Sequence, residues 1–95
     1  MFLLEFDSAD LRGARSARTA FLAYLQRETH HASDLAPAET LFSDLVTLAS
    51  GCSRWLRVRV IWRRDGTGTI TVADPNDPAA GCEAALPLRR RLVAS

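Results

Sequence analysis

Residues 54–64 read Arg54-Trp-Leu-Arg-Val-Arg-Val-Ile-Trp-Arg-Arg64, and this stretch decides the fold of the chain. Apolar and basic side chains alternate along it with a period of two, which is typical of a β-strand. The next residues, Asp65-Gly-Thr-Gly68, carry the Asp-Gly pair that favours a hairpin turn. Residues 69–73 then predict a partner strand with Ile70 and Val72 on its inner side.

The alternation divides this strand into two faces. One face is apolar and is expected to lie in the core; it comprises Leu56, Val58, Val60 and Trp62. The other face mixes arginines with large apolar groups; it comprises Trp55, Arg57, Arg59, Ile61 and Arg63.

Upstream of this strand, the sequence predicts one more strand and two helices. Residues 2–7 alternate and indicate a strand, after which Asp7 or Ser8 is expected to cap a helix that runs to about Glu28. Pro37 fits the first turn of a second helix, and Gly51 is a natural stop. The apolar stripes are Leu11, Ala14, Ala17, Phe21, Leu22 and Leu25 in the first helix, and Leu41, Phe42, Leu45, Leu48 and Ala49 in the second.

The sequence pattern predicts the secondary structure of the C-terminal third less clearly. Residues 74–78, Asp-Pro-Asn-Asp-Pro, have the composition of a loop. Residues 82–88 allow a helix or a strand, and the strand is favoured because Pro87 would interrupt a helix. Residues 89–95 are expected to form a short basic tail.

These elements predict a single α+β domain over residues 1–95, with two helices packed on one face of a small, mostly antiparallel four-stranded sheet. The predicted core comprises Phe2, Leu4, Phe6, Phe21, Leu25, Leu41, Leu45, Leu48, Val58, Val60, Ile70, Val72 and Leu86.

Composition limits the function classes. The chain has 95 residues, of which 47% are hydrophobic and 24% charged, as in ordinary globular domains. No apolar run approaches the roughly 20 residues of a membrane span. A secretory signal carries basic residues before its apolar stretch, and this N-terminus has none there. We therefore expect a cytoplasmic protein without a membrane partner. The net charge of +1 does not favour nucleic acid as a partner.

No metal or nucleophile motif emerges from the remaining polar residues. Cys52 and Cys82 lie thirty residues apart, a spacing that fits no zinc or redox motif. Two small buried thiols are the favoured interpretation, and the sequence leaves a disulfide between them open. His30 and His31 are interpreted as a surface loop pair, since no Cys/His cluster accompanies them.

Residues 42–50, 69–78 and 81–88, taken in order, resemble GHKL-type ATP-binding domains, which occur in histidine kinases and anti-sigma-factor serine kinases. Residues 42–50, Phe-Ser-Asp-Leu-Val-Thr-Leu-Ala-Ser, look like the second-helix motif of the anti-sigma-factor kinases. Residues 69–78 resemble the strand leading into the Asp-x-Gly-x-Gly box of that family. Residues 81–88 look like the closing strand of histidine-kinase ATPase domains, which often ends in Leu-Pro. The resemblance covers nearly the whole chain.

The departures from the family pattern all weaken a nucleotide site. The resemblance puts Asp44 where the family has a Glu, and Leu48 where an Asn holds Mg²⁺ through its side-chain oxygen. Asp74 matches the Asp that binds the adenine amino group, but Asn76 and Pro78 replace the two glycines of the box. The chain also has no room for the ATP lid. The resemblance therefore implies a degenerate domain.

Ordinary roles also explain the two aspartates. Asp44 is interpreted as a solvated helix carboxylate, because a lone carboxylate without a perturbing partner is seldom catalytic. It is nevertheless the one candidate for a catalytic group. Asp74 before Pro75 is equally suited to forming a turn, because Asp side chains bond to nearby backbone. It remains the one candidate for a cofactor contact. We expect no catalytic residue, no bound ATP or Mg²⁺, and no metal.

The best candidate for a binding surface is the sheet face that the helices leave uncovered. It is predicted to carry Leu3, Trp55, Arg57, Arg59 and Ile61. Large exposed apolar groups beside arginines are typical of protein interfaces. We therefore expect a non-catalytic, kinase-like regulatory module that acts in bacterial signalling by binding a protein partner or a second copy of itself. The alternatives are a minimal ATP-binding serine or histidine kinase, and a small nucleic-acid-binding domain that uses the Arg/Trp face.

The sequence predicts that ATP with Mg²⁺ binds weakly or not at all. Triphosphate affinity requires that several negative charges be neutralised, and the Asn ligand, the glycines and the lid of the family are replaced or absent. Titration calorimetry at about 1 mM ATP and Mg²⁺ measures this directly, with no saturable heat as the expected result. A dissociation constant of about 1 µM would instead favour the kinase alternative.

Overall fold

The structure, a computed structural model, describes residues 1–30 and 34–91. In chain order its elements are β1 (Phe2–Asp7), α1 (Leu11–Glu28), α2 (Ala36–Ser50), β2 (Trp55–Trp62), β3 (Gly68–Asp74) and β4 (Asp77–Ala85). The strands form one antiparallel sheet in the order β1-β2-β3-β4. α1 packs on β1 and α2, while α2 packs on β2, β3 and β4. The predicted α+β class is confirmed.

The β2–β3 hairpin forms where the Asp-Gly pair predicts it. The N–H of Gly66 donates to the carbonyl of Arg63 at 3.1 Å, and Gly66 has a φ of 89°, a conformation that favours glycine. Asp65 Oδ1 accepts from the Thr67 N–H at 2.9 Å and fixes the turn. Gly68 is the first residue of β3, and a Cβ there would lie 2.7 Å from the Trp62 ring. A glycine at this position thus lets the indole lie across the hairpin.

The core lies between the helices and the inner side of the sheet. Leu56, Val58 and Val60 are fully buried on β2, as are Ile70 and Val72 on β3. They meet a stacked pair from the helices, in which the ring centroids of Phe21 and Phe42 are 4.9 Å apart. The residues of the predicted core that are buried are Phe6, Phe21, Leu25, Leu45, Val58, Val60, Ile70, Val72 and Leu86; Phe2, Leu4 and Leu41 are partly buried against it.

Two leucines assigned to the helical stripes lie outside the core. Leu48 of the predicted core is 64% exposed, and Leu11 is 83% exposed. In α2 the buried residues are Ala38, Phe42, Leu45 and Ala49, so the small Ala49 takes the place next to the sheet. Leu48 precedes it by one residue and is turned about 100° away around the helix. Leu11 is the first residue of α1, beyond the end of the packed surface.

The start of α1 corrects a second detail. Asp10, rather than Asp7 or Ser8, is the N-cap, and its carboxylate accepts from the Arg12 N–H at 3.0 Å. Asp7 instead accepts from the Ala9 N–H at 2.9 Å and binds Arg54. The Ser8 hydroxyl donates to the Arg54 carbonyl at 2.6 Å. The two expected caps therefore hold the end of β1 to the start of β2.

The predicted loop over residues 74–78 is wrong. β4 begins at Asp77, so only Pro75 and Asn76 connect it to β3. Asp74 and Asp77 are directly paired across this turn. For residues 82–85 the strand interpretation is confirmed over the helix. Cys82 and Ala84 face the core there, and Leu86 is buried just after the strand ends.

Residues 89–91 are exposed, yet two of them are held against the end of α1. Arg90 Nε donates to Glu28 Oε2 at 2.9 Å, and the Arg91 N–H donates to the Glu28 carbonyl at 2.6 Å. Beneath them, Trp62 Nε1 donates to the hydroxyl of Tyr24 at 2.7 Å. Residues 92–95 of the predicted tail lie outside the described residues, as does His31.

In the described part of the chain, no helix is both long enough and apolar enough to cross a membrane.

Two leucine substitutions on the helices test the core boundary. Leu25→Ala removes a fully buried side chain and should lower the free energy of unfolding by about 2–5 kcal/mol. Leu48→Ala removes a largely exposed one and should change it by no more than about 0.5 kcal/mol. Urea denaturation measures both. Equal losses would contradict the observed orientation of α2.

Candidate functional site

The candidate site is the uncovered side of the sheet, called here the open face and defined by Leu3, Trp55, Arg57, Arg59 and Ile61. The β1–β2 register sets the positions of these residues, because it pairs Leu3 with Arg59, Glu5 with Arg57 and Asp7 with Trp55. Residues opposite each other in an antiparallel pair point to the same face of the sheet. The structure therefore brings all five predicted residues together on one face.

Three apolar side chains on the open face are about half exposed. The exposed fractions are 52% for Leu3, 50% for Trp55 and 44% for Ile61. Leu3 is directly opposite Arg59 and therefore diagonal to Ile61, a distance that side chains can bridge. Trp55 lies at the other end of β2, beyond Arg57. The apolar surface thus has two parts, with a charged row between them.

The two arginines of this row differ in their partners. Arg57 donates through Nη2 and Nε to Glu5 Oε1 at 2.8 and 3.1 Å, an exposed cross-strand ion pair. Arg59 lies opposite Leu3 on one side and Thr71 on the other. Within residues 1–30 and 34–91, no carboxylate lies within ion-pair distance of Arg59. Among the described residues of the open face, Arg59 is therefore the cation without an ion-pair partner.

The open face continues across the other two strands. Thr71 is paired with Glu83, and Thr69 is paired with Ala85. A depression of about 60 Å³ lies next to Arg57 and Arg59 and is completed by Thr71, Ala73, Asp74 and Pro75. Of these β3 and β4 residues, Asp74 was predicted from the sequence as a candidate cofactor contact, and the others were not predicted to take part in a site. The alternation of Thr69 and Thr71 with the buried Ile70 and Val72 could have placed the two threonines on the open face.

Asp74 organises the turn beside this depression. Asp74 Oδ1 accepts from the Asn76 N–H at 2.8 Å, and Asp74 Oδ2 accepts from the Ser53 hydroxyl at 2.8 Å. These bonds, the Asn76 bond first and the Ser53 bond second, stabilise the ionised carboxylate and lower the pKa of Asp74 below its ordinary value of 3.8. Ser53 was not predicted to contribute. Asp74 has the local bonding of a turn-forming residue, and through Ser53 it also ties β3 to the chain entering β2.

The other candidate, Asp44, lies in the helical layer. It is exposed on α2, as is Leu48 one turn later. The two aspartates singled out by the family resemblance lie on different elements, Asp44 on α2 and Asp74 at the turn between β3 and β4.

The cysteines and histidines are dispersed. Cys52 is exposed after α2 and Cys82 is half-buried on β4, both as free thiols, so the expectation of two buried thiols is wrong for Cys52. His30 is exposed. Over residues 1–30 and 34–91, no three His, Cys, Asp or Glu side chains are grouped so that they could hold a metal ion.

Comparison with known proteins adds no relative: no family model matches the chain, and neither a curated protein nor a solved structure shows significant similarity to it. The resemblance to GHKL-type domains therefore rests on the three sequence stretches alone and stays a prediction.

The hydrogen bonds to Asp74 predict a pH-dependent contribution to stability. Because the folded pKa is depressed, this contribution is fully present above the unfolded pKa of about 3.8 and is lost as the pH falls through the folded pKa. Urea midpoints from pH 7 downward should show the wild type more stable than Asp74→Asn at neutral pH, with the difference shrinking below about pH 4. Ser53→Ala should reproduce part of the effect. A difference that is the same at every pH would contradict this role for Asp74.

Proposed function

We propose that this protein is a non-catalytic interaction module whose open face binds a protein partner. The observation that carries the proposal is the half-exposed set of Leu3, Trp55 and Ile61 on a sheet whose other face is covered by both helices. These apolar groups, with arginines between them, have the aromatic and Arg-rich composition that is enriched at protein interfaces. Trp and Arg are also the residues that most often dominate binding energy at protein interfaces.

The chemistry of the open face indicates what such a partner would present. Two apolar areas, Trp55 at one end and Leu3 with Ile61 at the other, call for apolar side chains with a matching separation. Between them, Arg57 is neutralised by Glu5, whereas Arg59 has no partner of its own among the described residues. A partner with one carboxylate between two apolar groups would match this arrangement.

The regulatory setting is part of the proposal and rests on the sequence. The three stretches that resemble histidine kinases and anti-sigma-factor kinases favour a role in bacterial signalling, in the cytoplasm, as a degenerate kinase-like module. A sheet-to-sheet homodimer through the open face is the other occupant that the same chemistry allows. Nucleic acid is less favoured, because Arg54 and Arg57 are each paired with a carboxylate and the net charge is only +1.

A double substitution on the open face tests this function. Trp55→Ala with Ile61→Ser should abolish capture of those proteins from native bacterial extract that the wild type retains, since it removes the apolar anchor at each end. Sedimentation of both proteins separates a heterologous partner from self-association.

The matched control is Leu48→Ser, which alters a leucine that is 64% exposed on α2, in the helical layer. It should retain every partner of the wild type. If the double variant still captures the same proteins, or if Leu48→Ser loses them to the same extent, the open face is only solvated.

A further inference from the structure

The outer edge of β1 has backbone groups without a strand partner. β1 is the first strand of the sheet order, so its far side faces no other strand of the described chain. The Ser8 N–H donates to the Arg54 carbonyl at 2.8 Å, in the same register that pairs Phe2 with Val60. Hydrogen-bonded and non-hydrogen-bonded pairs alternate in an antiparallel ladder. The even-numbered residues therefore bond to β2, and Leu3 and Glu5 direct their N–H and C=O groups outward.

The two edges of the sheet differ in how they are protected. Prolines, bulges and unpaired charges are the usual devices that stop an edge from pairing with another chain. β4 has Pro78 and a register shift between Val72 and Asp74. β1 contains no proline, and its two charges are neutralised within the chain, Glu5 by Arg57 and Asp7 by Arg54. β1 is therefore the edge that is open to pairing.

A groove runs beside this edge. It has a volume of about 560 Å³ and extends from β1 to α1, the helix that packs over β1. Phe2 and Leu4 point toward the core but are only partly buried, since they lie at its margin. The α1 side of the groove consists of small residues, namely Gly13, Ser16 and Ala20, beside the buried Ala17. Such a surface allows another helix to approach closely.

We propose that β1 pairs antiparallel with β1 of a second copy of this chain, about a two-fold axis at Leu4. The two sheets then form one continuous sheet of eight strands, and the outward groups of Leu3 and Glu5 bond to Glu5 and Leu3 of the second copy. This pairing covers the free β1 edge of each copy with one self-complementary contact. It does not depend on the proposed function, because Arg59 and Ile61 of the open face lie on β2, away from the new strand pair.

The register follows from side-chain direction, overlap and charge. Residues opposite each other must point to the same face, so the axis can pass through Leu3, Leu4 or Glu5. An axis at Glu5 would set two glutamates directly opposite each other, which is unfavourable. An axis at Leu3 would pair only residues 1–5, whereas an axis at Leu4 pairs residues 1–7 with 7–1. At Leu4, the inner side of the new strand pair is apolar: Leu4 meets Leu4, and Phe2 meets Phe6.

The helices fit the same axis. α1 is the helix that packs over β1, so the two-fold axis brings α1 of one copy next to α1 of the other on the inner side of the sheet. The groove side of α1, with Gly13, Ser16 and Ala20, then faces the second copy, and small residues at a contact allow helices to pack at the short end of the usual range of about 8–10 Å. A partner with a long side chain at these positions would not fit.

Proline substitution at the two edges tests the pairing. Glu5→Pro removes one outward N–H from β1 without removing a bond to β2, a position that tolerates proline in a monomer. The matched control is Glu83→Pro on β4. The Leu86 N–H donates to the Gly68 carbonyl at 2.9 Å, so the even-numbered residues of β4 bond to β3 and Glu83 faces outward.

In sedimentation, the wild type and Glu83→Pro should run at twice the monomer mass of 10.4 kDa. Glu5→Pro should raise the dimer dissociation constant by at least about 10-fold. Ile61→Ser, which alters the open face outside the groove, should remain dimeric and so separates this contact from the open face. Amide hydrogen exchange should show concentration-dependent protection of Leu3 and Glu5.

If circular dichroism shows that Glu5→Pro does not fold, a variant of α1 tests the same dimer. Ser16→Arg places a long cation in the groove and should weaken the dimer by a similar factor. Gln26→Arg adds the same side chain at an exposed position of α1 outside the groove and should leave the dimer intact. A monomeric wild type, or a dimer that neither Glu5→Pro nor Ser16→Arg weakens more than its control, would overturn the proposal.

Discussion

Successive side chains of a β-strand point to opposite faces of the sheet, and in β2 this constraint separates two kinds of surface. Leu56, Val58 and Val60 are completely buried under the helices, while Trp55 and Ile61, which flank them in sequence, are about half exposed. A shift of one residue would bury Arg57 and Arg59 and expose the valines, which no packing of α1 and α2 could compensate. The position of every other element, and of both proposed contact surfaces, depends on this alternation.

The helical layer explains why two surfaces stay free. α1 lies over β1 and α2 lies over the other three strands, so the pair covers the inner side of the sheet. The open face lies on the opposite side, and the outer edge of β1 lies beyond α1. Because one surface is made of side chains and the other of backbone groups, they would bind by different chemistry. A dimer through the β1 edge would double the number of open faces available to a partner.

The sequence predicts those parts of the fold that local patterns control. Alternation in residues 54–64 and the Asp-Gly pair identify the central hairpin, and the same alternation places the five open-face residues together. The errors arise where nonlocal contacts decide. Composition alone makes residues 74–78 a loop, but Asp74 bonds to Asn76 and closes a turn of two residues, after which β4 starts. Helical spacing alone puts Leu48 in the core, but the sheet packs against Ala49 instead. Ser53 gives no local signal, because its role depends on the approach of Asp74 from a distant strand.

Both proposed contact surfaces depend on the β1–β2 register, and proton NMR measures this register directly. With the even-numbered residues hydrogen-bonded across the two strands, the odd-numbered pairs have their Cα atoms only about 4.5 Å apart. We predict strong Hα–Hα contacts between Leu3 and Arg59 and between Glu5 and Arg57. These contacts arise within one chain and are expected in a monomer and in a dimer. Contacts that join Leu3 to Val58 or to Val60 instead would mean a register shifted by one residue, and would contradict both the open face and the free edge of β1.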